Sequence, residues 1–328
     1  MSKATNASER RILGRLSVVH PTSAMRLLTG MRPSRHDGLF AVLFAILVAL
    51  SVPALASVLE LSGRDASASH LPLIPLASLG LLLMDRAVTF RESRFAVLPG
   101  GLVILVGVAI MKLADLGMSA QDPNLLTVRT SGVATAAIGV FITCYGPSVA
   151  RAAFFPLAFL LLMVPVPPRV LDALIETLKI GSTEVADWLF ALTRTTYHRD
   201  GFVFSLPTLV IEVADECSGV RSTIALLLTS LLAGHLLLRS RWNKVTLLLV
   251  VVPVSVLKNG VRITSLSLLS VYVHPGFIEG RLHRDGGVLF FLMGLVLLAP
   301  VLLALRRSED AQRALPRKTE RRQPLIVN

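Results

Sequence analysis

Between Ile211 and Ser222 a polar, partly alternating segment gives way to the apolar run 224–238, and Cys217 stands at the junction, inside Asp215-Glu216-Cys217-Ser218-Gly219-Val220-Arg221. That position predicts a thiol at a water–lipid boundary on a helix N-terminus, a candidate nucleophile. Helix N-terminal amides and a cation such as Arg221 favour the thiolate, whereas Asp215 and Glu216 oppose it, so local sequence leaves the balance open. The competing reading makes Cys217 a small semi-buried filler and Ser218 a helix cap.

Two further groups could serve such a thiol. The apolar segment 245–273 is interrupted by Lys258, Asn259 and Arg262. At about 1.5 Å per residue Arg262 lies roughly 26 Å from Val245, near the far interface of a bilayer. Lys258 and Arg262 share a helix face, where like charges repel, so the pair needs water or an anionic partner unless both side chains snorkel to lipid headgroups. His283 lies in the last loop before the final apolar run. Alone it reads as a solvated interfacial histidine, but beside Cys217 and Arg262 on one face it supplies the missing base. His70, followed by Pro72 and Pro75, is placed on that same face, where it could look into a cavity.

The elements that must position these groups are membrane helices. Of 328 residues 53% are hydrophobic and 16% charged, with a mean hydropathy of +0.68, too apolar for a water-soluble domain of this length. Apolar runs occur at about 38–58, 70–84, 96–113, 131–147, 152–166, 220–238, 245–273 and 287–305. The expected fold is therefore an all-α polytopic bundle of about eight transmembrane helices with a small outer-face loop region. Residues 1–37 and 306–328 are basic tails, and 38–305 form the membrane domain, with an outer loop over about 167–219 leading to Cys217. The net charge of +12 accompanies no nucleic-acid motif. With the N-terminus inside, 21 of the 33 Lys and Arg fall on cytoplasmic segments, which sets both termini cytoplasmic and Cys217, Arg262 and His283 on the outer face.

Within that frame the first run, ending Pro53-Ala54-Leu55-Ala56-Ser57, is expected as a retained helix rather than a cleaved signal. Pro165, Pro167 and Pro168 must stop the fifth. Beyond them, Leu171, Leu174, Leu178, Val185 and Leu189 predict an amphipathic helical stretch, broken near Gly181, on the membrane surface or over the bundle. Residues 202–213 suggest a short hairpin around Pro207. Cys144 falls near the inner end of the fourth run, most of a bilayer away from Cys217, so a disulfide is not expected. Neither cysteine has metal-ligand spacing and no Gly-rich phosphate loop is present; no metal or cofactor is expected.

The ordered set Ser69-His70 with Pro72 and Pro75, Pro165 with Pro167, Cys217-Ser218-Gly219-Val220-Arg221-Ser222, Asn259-Gly260-Val261-Arg262, and His283 with Gly287 resembles the exosortase and archaeosortase family over about residues 38–305. The resemblance implies a cysteine protease or transpeptidase of the bacterial cytoplasmic (inner) membrane, with a catalytic set of Cys217, Arg262 and His283. Asn259, Arg221, Ser218 and His70 are the supporting or substrate-binding positions. Its implied substrates are secreted proteins ending in a sorting signal of motif, apolar helix and basic cluster, and its implied setting is protein sorting with exopolysaccharide or envelope biogenesis. Partners are then membrane lipids, those secreted proteins and an acceptor nucleophile the sequence leaves open, with no nucleic acid. The alternatives are a polytopic transporter using Lys258, Arg262 and His283 as an ion path, against which no inverted repeat is evident, and a non-catalytic scaffold for envelope polysaccharide export. The charge distribution predicts that reporters fused after Arg94 and Arg241 read cytoplasmic and those near Gly201 and Gly280 external. An external signal at Arg241 overturns this topology.

Overall fold

A computed structural model describes residues 34–84, 89–90, 92–215, 218–274, 276 and 287–314. Every apolar run of the sequence contributes helix. The elements are α1 (Arg35–Leu50), α2 (Val52–Arg64), α3 (Leu73–Met84), α4 (Val97–Gly117), α5 (Leu125–Ala152), α6 (Phe154–Leu160), α7 (Pro168–Leu192), α8 (Val220–Leu237), α9 (Arg241–Tyr272) and α10 (Gly287–Ala314). Five of these, α4, α5, α8, α9 and α10, are long and apolar enough to cross a membrane. Two bent pairs bring the number to seven if each is one span, and α3 is a shorter apolar helix.

The bends correct the expected continuous first helix. The chain turns by 71° between α1 and α2, with Ser51 as the joint and Pro53 in the first turn of α2, where its missing N–H costs no helical hydrogen bond. The second bend, 90°, falls between Phe154–Met163 and α7. There the prolines act as the sequence suggests, ending one helix and starting the next at Pro168.

Helices α4 and α5 form the closest pair. Glycines let their backbones meet, the usual device where lipid gives helices no hydrophobic reason to associate. A Cβ on Gly107 would lie 2.5 Å from the Ala136 nitrogen, and one on Gly139 would lie 2.6 Å from the Ile104 nitrogen. α5 breaks at Gly146, in the left-handed region at φ 86°, beside Pro147. The 94–96 segment runs alongside, with Arg94 N–H donating to the Tyr145 carbonyl (3.2 Å) and Ala96 N–H to that of Thr143 (3.0 Å). Tyr145 in turn donates to Asp37 (2.8 Å), and His36 stacks on Phe95 at 4.1 Å, so the start of α1 is tied to the same end of the bundle. Cys144, free and fully buried, sits in this cluster.

Near Gly181 the structure departs from expectation, because α7 runs unbroken from Pro168 to Leu192. Gly181 breaks nothing because Val256 of α9 packs where its side chain would be, at 3.0 Å from a Cβ. The expected hairpin is real but has a third strand: β1 (His198–Asp200), β2 (Val203–Leu206) and β3 (Leu209–Glu212) form an antiparallel sheet in sequence order. Pro207 and Thr208 turn between paired Leu206 and Leu209. The sheet packs through Phe204, Leu206 and Val213 onto Ala186 and Phe190 of α7 and Ile263 of α9. At its rim Arg199 pairs with Glu184 (2.6 Å) and Asp187 (3.5 Å), and the Tyr197 hydroxyl donates to Asp187 (3.0 Å). Burial and that carboxylate push the Tyr197 phenol above its ordinary pKa.

The glycine contacts yield a paired test. Gly107→Ala forces backbones apart and is expected to destabilise by about 1–3 kcal/mol. Gly101→Ala on the same helix meets open space and is expected to be neutral or stabilising by up to about 1 kcal/mol. Thermal unfolding in detergent measures both, and equal midpoints overturn the close-packing account.

Candidate functional site

The two ends of the bundle separate the residues cleanly. One end holds His36, Cys144, Tyr145, the His235–Phe155 ring stack (3.7 Å), and the α8–α9 turn, where Glu309 accepts from the N–H groups of Arg239 (2.9 Å) and Ser240 (2.9 Å). The other end holds His70, Pro165, the sheet, the start of α8, and Lys258 to Arg262 of α9. Thr127 at the head of α5 donates to the Pro165 carbonyl (3.1 Å), and Pro165 lines one cleft with Leu61, Asp65, His70 and Ile224. Cys217, Glu216 and His283 lie outside the described residues, so the site is built from the groups that flank them in the chain.

Helix α8 begins at Val220, three residues after Cys217, and Gly219 is its N-cap in the left-handed conformation, φ 76°. The N-cap carbonyl is heavily used. It accepts from the Thr223 N–H (3.0 Å), the Thr223 hydroxyl (3.0 Å) and the Ser222 hydroxyl (2.9 Å). Ser218 is buried, its N–H donates to the Asp215 carbonyl (3.1 Å), and its hydroxyl accepts from the Val220 N–H (3.4 Å). Ser218 therefore braces the turn from one residue before the cap, and the cap itself is glycine.

Glycine is required at 219 for two reasons. Its φ is one that other residues adopt at a cost, and the Asn259 side chain fills the space beside it: a Cβ would lie 2.8 Å from Asn259 Oδ1. Asn259 is buried and donates through Nδ2 to Ser182 Oγ of α7 (3.0 Å). The next residue, Gly260, continues the contact, since a Cβ there would meet the Val185 side chain at 2.4 Å. One Asn-Gly pair thus joins α7, α8 and α9.

Lys258 does not snorkel. It is 1% exposed and donates to the Ser222 hydroxyl in the first turn of α8. Arg262, one turn further along α9, is half-buried with its guanidinium 5.9 Å from the centre of the Phe290 ring. Phe290 belongs to the first turn of α10, which follows His283 by four residues at Gly287. The two cations share one face of α9, as their four-residue spacing predicts, and the charge of Arg262 acts on Lys258; from that face they reach the starts of α8 and α10.

Around the turn, Arg221 is exposed. Asp215, expected to oppose a thiolate at Cys217, is paired with Lys179 of α7 (3.1 Å), whose ammonium also lies 4.5 Å from the centre of the Phe202 ring. Lys179, Ser182 and Ser222 were not among the residues that sequence pattern singled out. Ser222 carried a signal, since it closes the Cys-Ser-Gly-Val-Arg-Ser run, whereas Lys179 and Ser182 lie on an ordinary amphipathic helix. His70 precedes α3 in the cleft with Asp65, which accepts from the Ser67 N–H and hydroxyl, both at 2.7 Å. The cleft reaches α8 at Ile224, one turn past the cap. No group of three or more His, Cys, Asp or Glu with metal-site geometry occurs among the described residues.

A bundle of five to seven candidate apolar spans with a small sheet defines a polytopic helical membrane protein. The family model described as transmembrane exosortase (Exosortase_EpsH) matches residues 62–300, and the chain belongs to that family. The matched region begins at the end of α2, so α1 and most of α2 lie outside it. No curated protein and no solved structure matches the chain.

The cap geometry predicts a graded response. Gly219→Ala incurs the left-handed penalty, about 1–2 kcal/mol, plus a clash with Asn259, whereas Gly201→Ala, at φ 58° with open space around it, incurs the penalty alone. Gly219→Ala should lower the thermal midpoint more, and equal shifts would show that Asn259 yields freely.

Proposed function

We propose that this chain is a membrane-embedded cysteine protease or transpeptidase that cleaves the C-terminal sorting signal of secreted proteins at the outer face of the bacterial cytoplasmic membrane, in the service of protein sorting and envelope or exopolysaccharide biogenesis. The observation that carries the reading is the contact of Asn259 with Gly219. It aligns Asn259-Gly260-Val261-Arg262 with the turn that follows Cys217, while Arg262 reaches the helix that follows His283. Family membership supplies the reaction class.

In this reading the Cys217 sulfur attacks the carbonyl carbon of the scissile peptide bond. His283 accepts the thiol proton, and Arg262 stabilises the charge on the carbonyl oxygen. Collapse of the tetrahedral species breaks the C–N bond, His283 returns the proton to the departing amine, and a thioester to Cys217 remains. Water resolves it to a carboxylate, or an amine acceptor resolves it to a new amide. Asn259 and Ser218 hold the turn, Arg221 faces solvent where a substrate tail can meet it, and His70 lines the neighbouring cleft.

The test is processing of a sorting-signal substrate by membranes holding matched amounts of each variant. Cys217→Ala and Cys217→Ser are expected to abolish cleavage, and Cys144→Ala, buried at the opposite end, to retain it. Arg262→Lys keeps the charge and loses the planar fork, so cleavage should fall on the order of a hundredfold. Full processing by Cys217→Ala overturns covalent catalysis at this residue, and parental rates for Arg262→Lys and Arg262→Ala make Arg262 a lipid anchor.

A further inference from the structure

The end of the bundle away from Lys258 and Arg262 carries a second concentration of positive charge. Its backbone is fixed by Glu309 of α10, which accepts from the N–H groups of Arg239 (2.9 Å) and Ser240 (2.9 Å) and from Asn243 Nδ2 (2.9 Å). Asn243 also donates to the Leu305 carbonyl (3.3 Å). These bonds hold the α8–α9 turn against residues 305–309 of α10. The turn brings Arg239, Arg241 and Lys244, and the facing stretch of α10 brings Arg306 and Arg307. The four arginines are exposed, and the Lys244 stem lies across Gly234 of α8, its Cγ 3.8 Å from where a Cβ would stand. Two carboxylates share the region. Glu309 is taken up by the start of α9, and its charge acts on Arg239; Asp310 is exposed. Positive charge therefore prevails on this surface.

Beside these cations α9 presents an apolar side. Trp242 is 81% exposed, and Val245, Leu249 and Val252 follow it at helical spacing, exposed as well. In a membrane span such a side faces lipid chains, and a tryptophan at its end marks the boundary between chains and headgroups. Arg241 adjoins Trp242 and Arg239 lies in the turn just before, so two guanidinium groups stand at the level of the lipid phosphates. Guanidinium groups bind phosphate through paired hydrogen bonds. Continuity between the charged surface and the apolar side singles out a ligand with both a phosphate and acyl chains, over a nucleic acid or a soluble anion.

We propose that the α8–α9 turn and the facing stretch of α10 form a binding site for an anionic phospholipid, its phosphate held by Arg239 and Arg241 and its chains lying along α9 from Trp242 toward Val252. Lys244, Arg306 and Arg307 add to the attraction. On the topology expected from the charge distribution this is the cytoplasmic leaflet. The site is independent of the proposed peptidase reaction and stands or falls without it.

The experiment uses the chain's own reporter. Trp188 and Trp242 are its two tryptophans, so full-length protein carrying Trp188→Phe emits from Trp242 alone. It is reconstituted in vesicles of phosphatidylcholine and phosphatidylglycerol in which one lipid or the other carries brominated chains, and quenching reads which lipid touches Trp242. Phosphatidylglycerol is expected to be favoured about fivefold or more, with the preference weakening as salt is added. Joint replacement Arg239→Gln and Arg241→Gln should bring it close to equality, whereas Arg169→Gln, at the other end of the bundle, should leave it unchanged. A brominated cationic lipid, which tests the same charge without any substitution, should be depleted around Trp242. Equal quenching by the two lipids in the parent, a preference kept by the double variant, or one lost equally in Arg169→Gln overturns the proposal. So does abolition of the preference by excess inorganic phosphate, which would make the surface a site for the free ion instead of the lipid.

Discussion

The structure at the candidate site depends on one side-chain amide occupying the space of an absent one. Asn259 lies where a Cβ of residue 219 would be, and donates to Ser182. This contact fixes the rotation of α9 about its axis, because Asn259 must point at α8 and α7 together. With that rotation set, Lys258 faces the first turn of α8 and Arg262, one turn on, faces α10. Helix geometry keeps the two like charges on one face of α9, so the starts of α8 and α10 both meet that face.

The bundle around this point is arranged to hold it still. Val256 packs against Gly181 and Val185 against Gly260, so α7 and α9 advance in step over four residues. The sheet covers the same pair of helices through Phe204 and Val213. At the opposite end Glu309 accepts from the backbone of the α8–α9 turn and from Asn243 (2.9 Å), which ties α10 to both. Polar contacts thus close the bundle at its two ends, and small residues close it in between, as expected where lipid surrounds the helices.

Much of this was legible in the sequence, and the rest was hidden for identifiable reasons. Apolar runs gave the helices because composition alone determines what can cross lipid. The bend at Ser51 was not visible, since Pro53 is compatible with both a continuous helix and the first turn of a new one. The continuity of α7 through Gly181 depends on Val256, seventy-five residues away, and no local pattern reports such a partner. The third strand, His198–Asp200, is too short to show a period of two. For the site, the cluster of Lys258, Asn259 and Arg262 stood out as polar groups in an apolar run, yet the direction of Lys258 is decided by Ser222 on another helix. Asp215 stood out as a charge beside the cysteine, whereas its pairing with Lys179, distant in sequence, was not legible.

The in-step packing of α7 and α9 gives the site a fixed height. Arg262 stands roughly 30 Å along α9 from Arg241, close to the thickness of a bilayer's hydrocarbon core. Neither helix can slide by a turn without driving a valine into its neighbour's backbone. On the proposed reading the protein is then a depth gauge: it cuts at one level above the inner interface, and a tail is selected by whether its own apolar helix lifts the scissile bond to that level. Shortening such a helix by one turn lowers the bond by about 5 Å, more than the width of a peptide group, so substrate choice becomes partly a measurement of length made by the membrane.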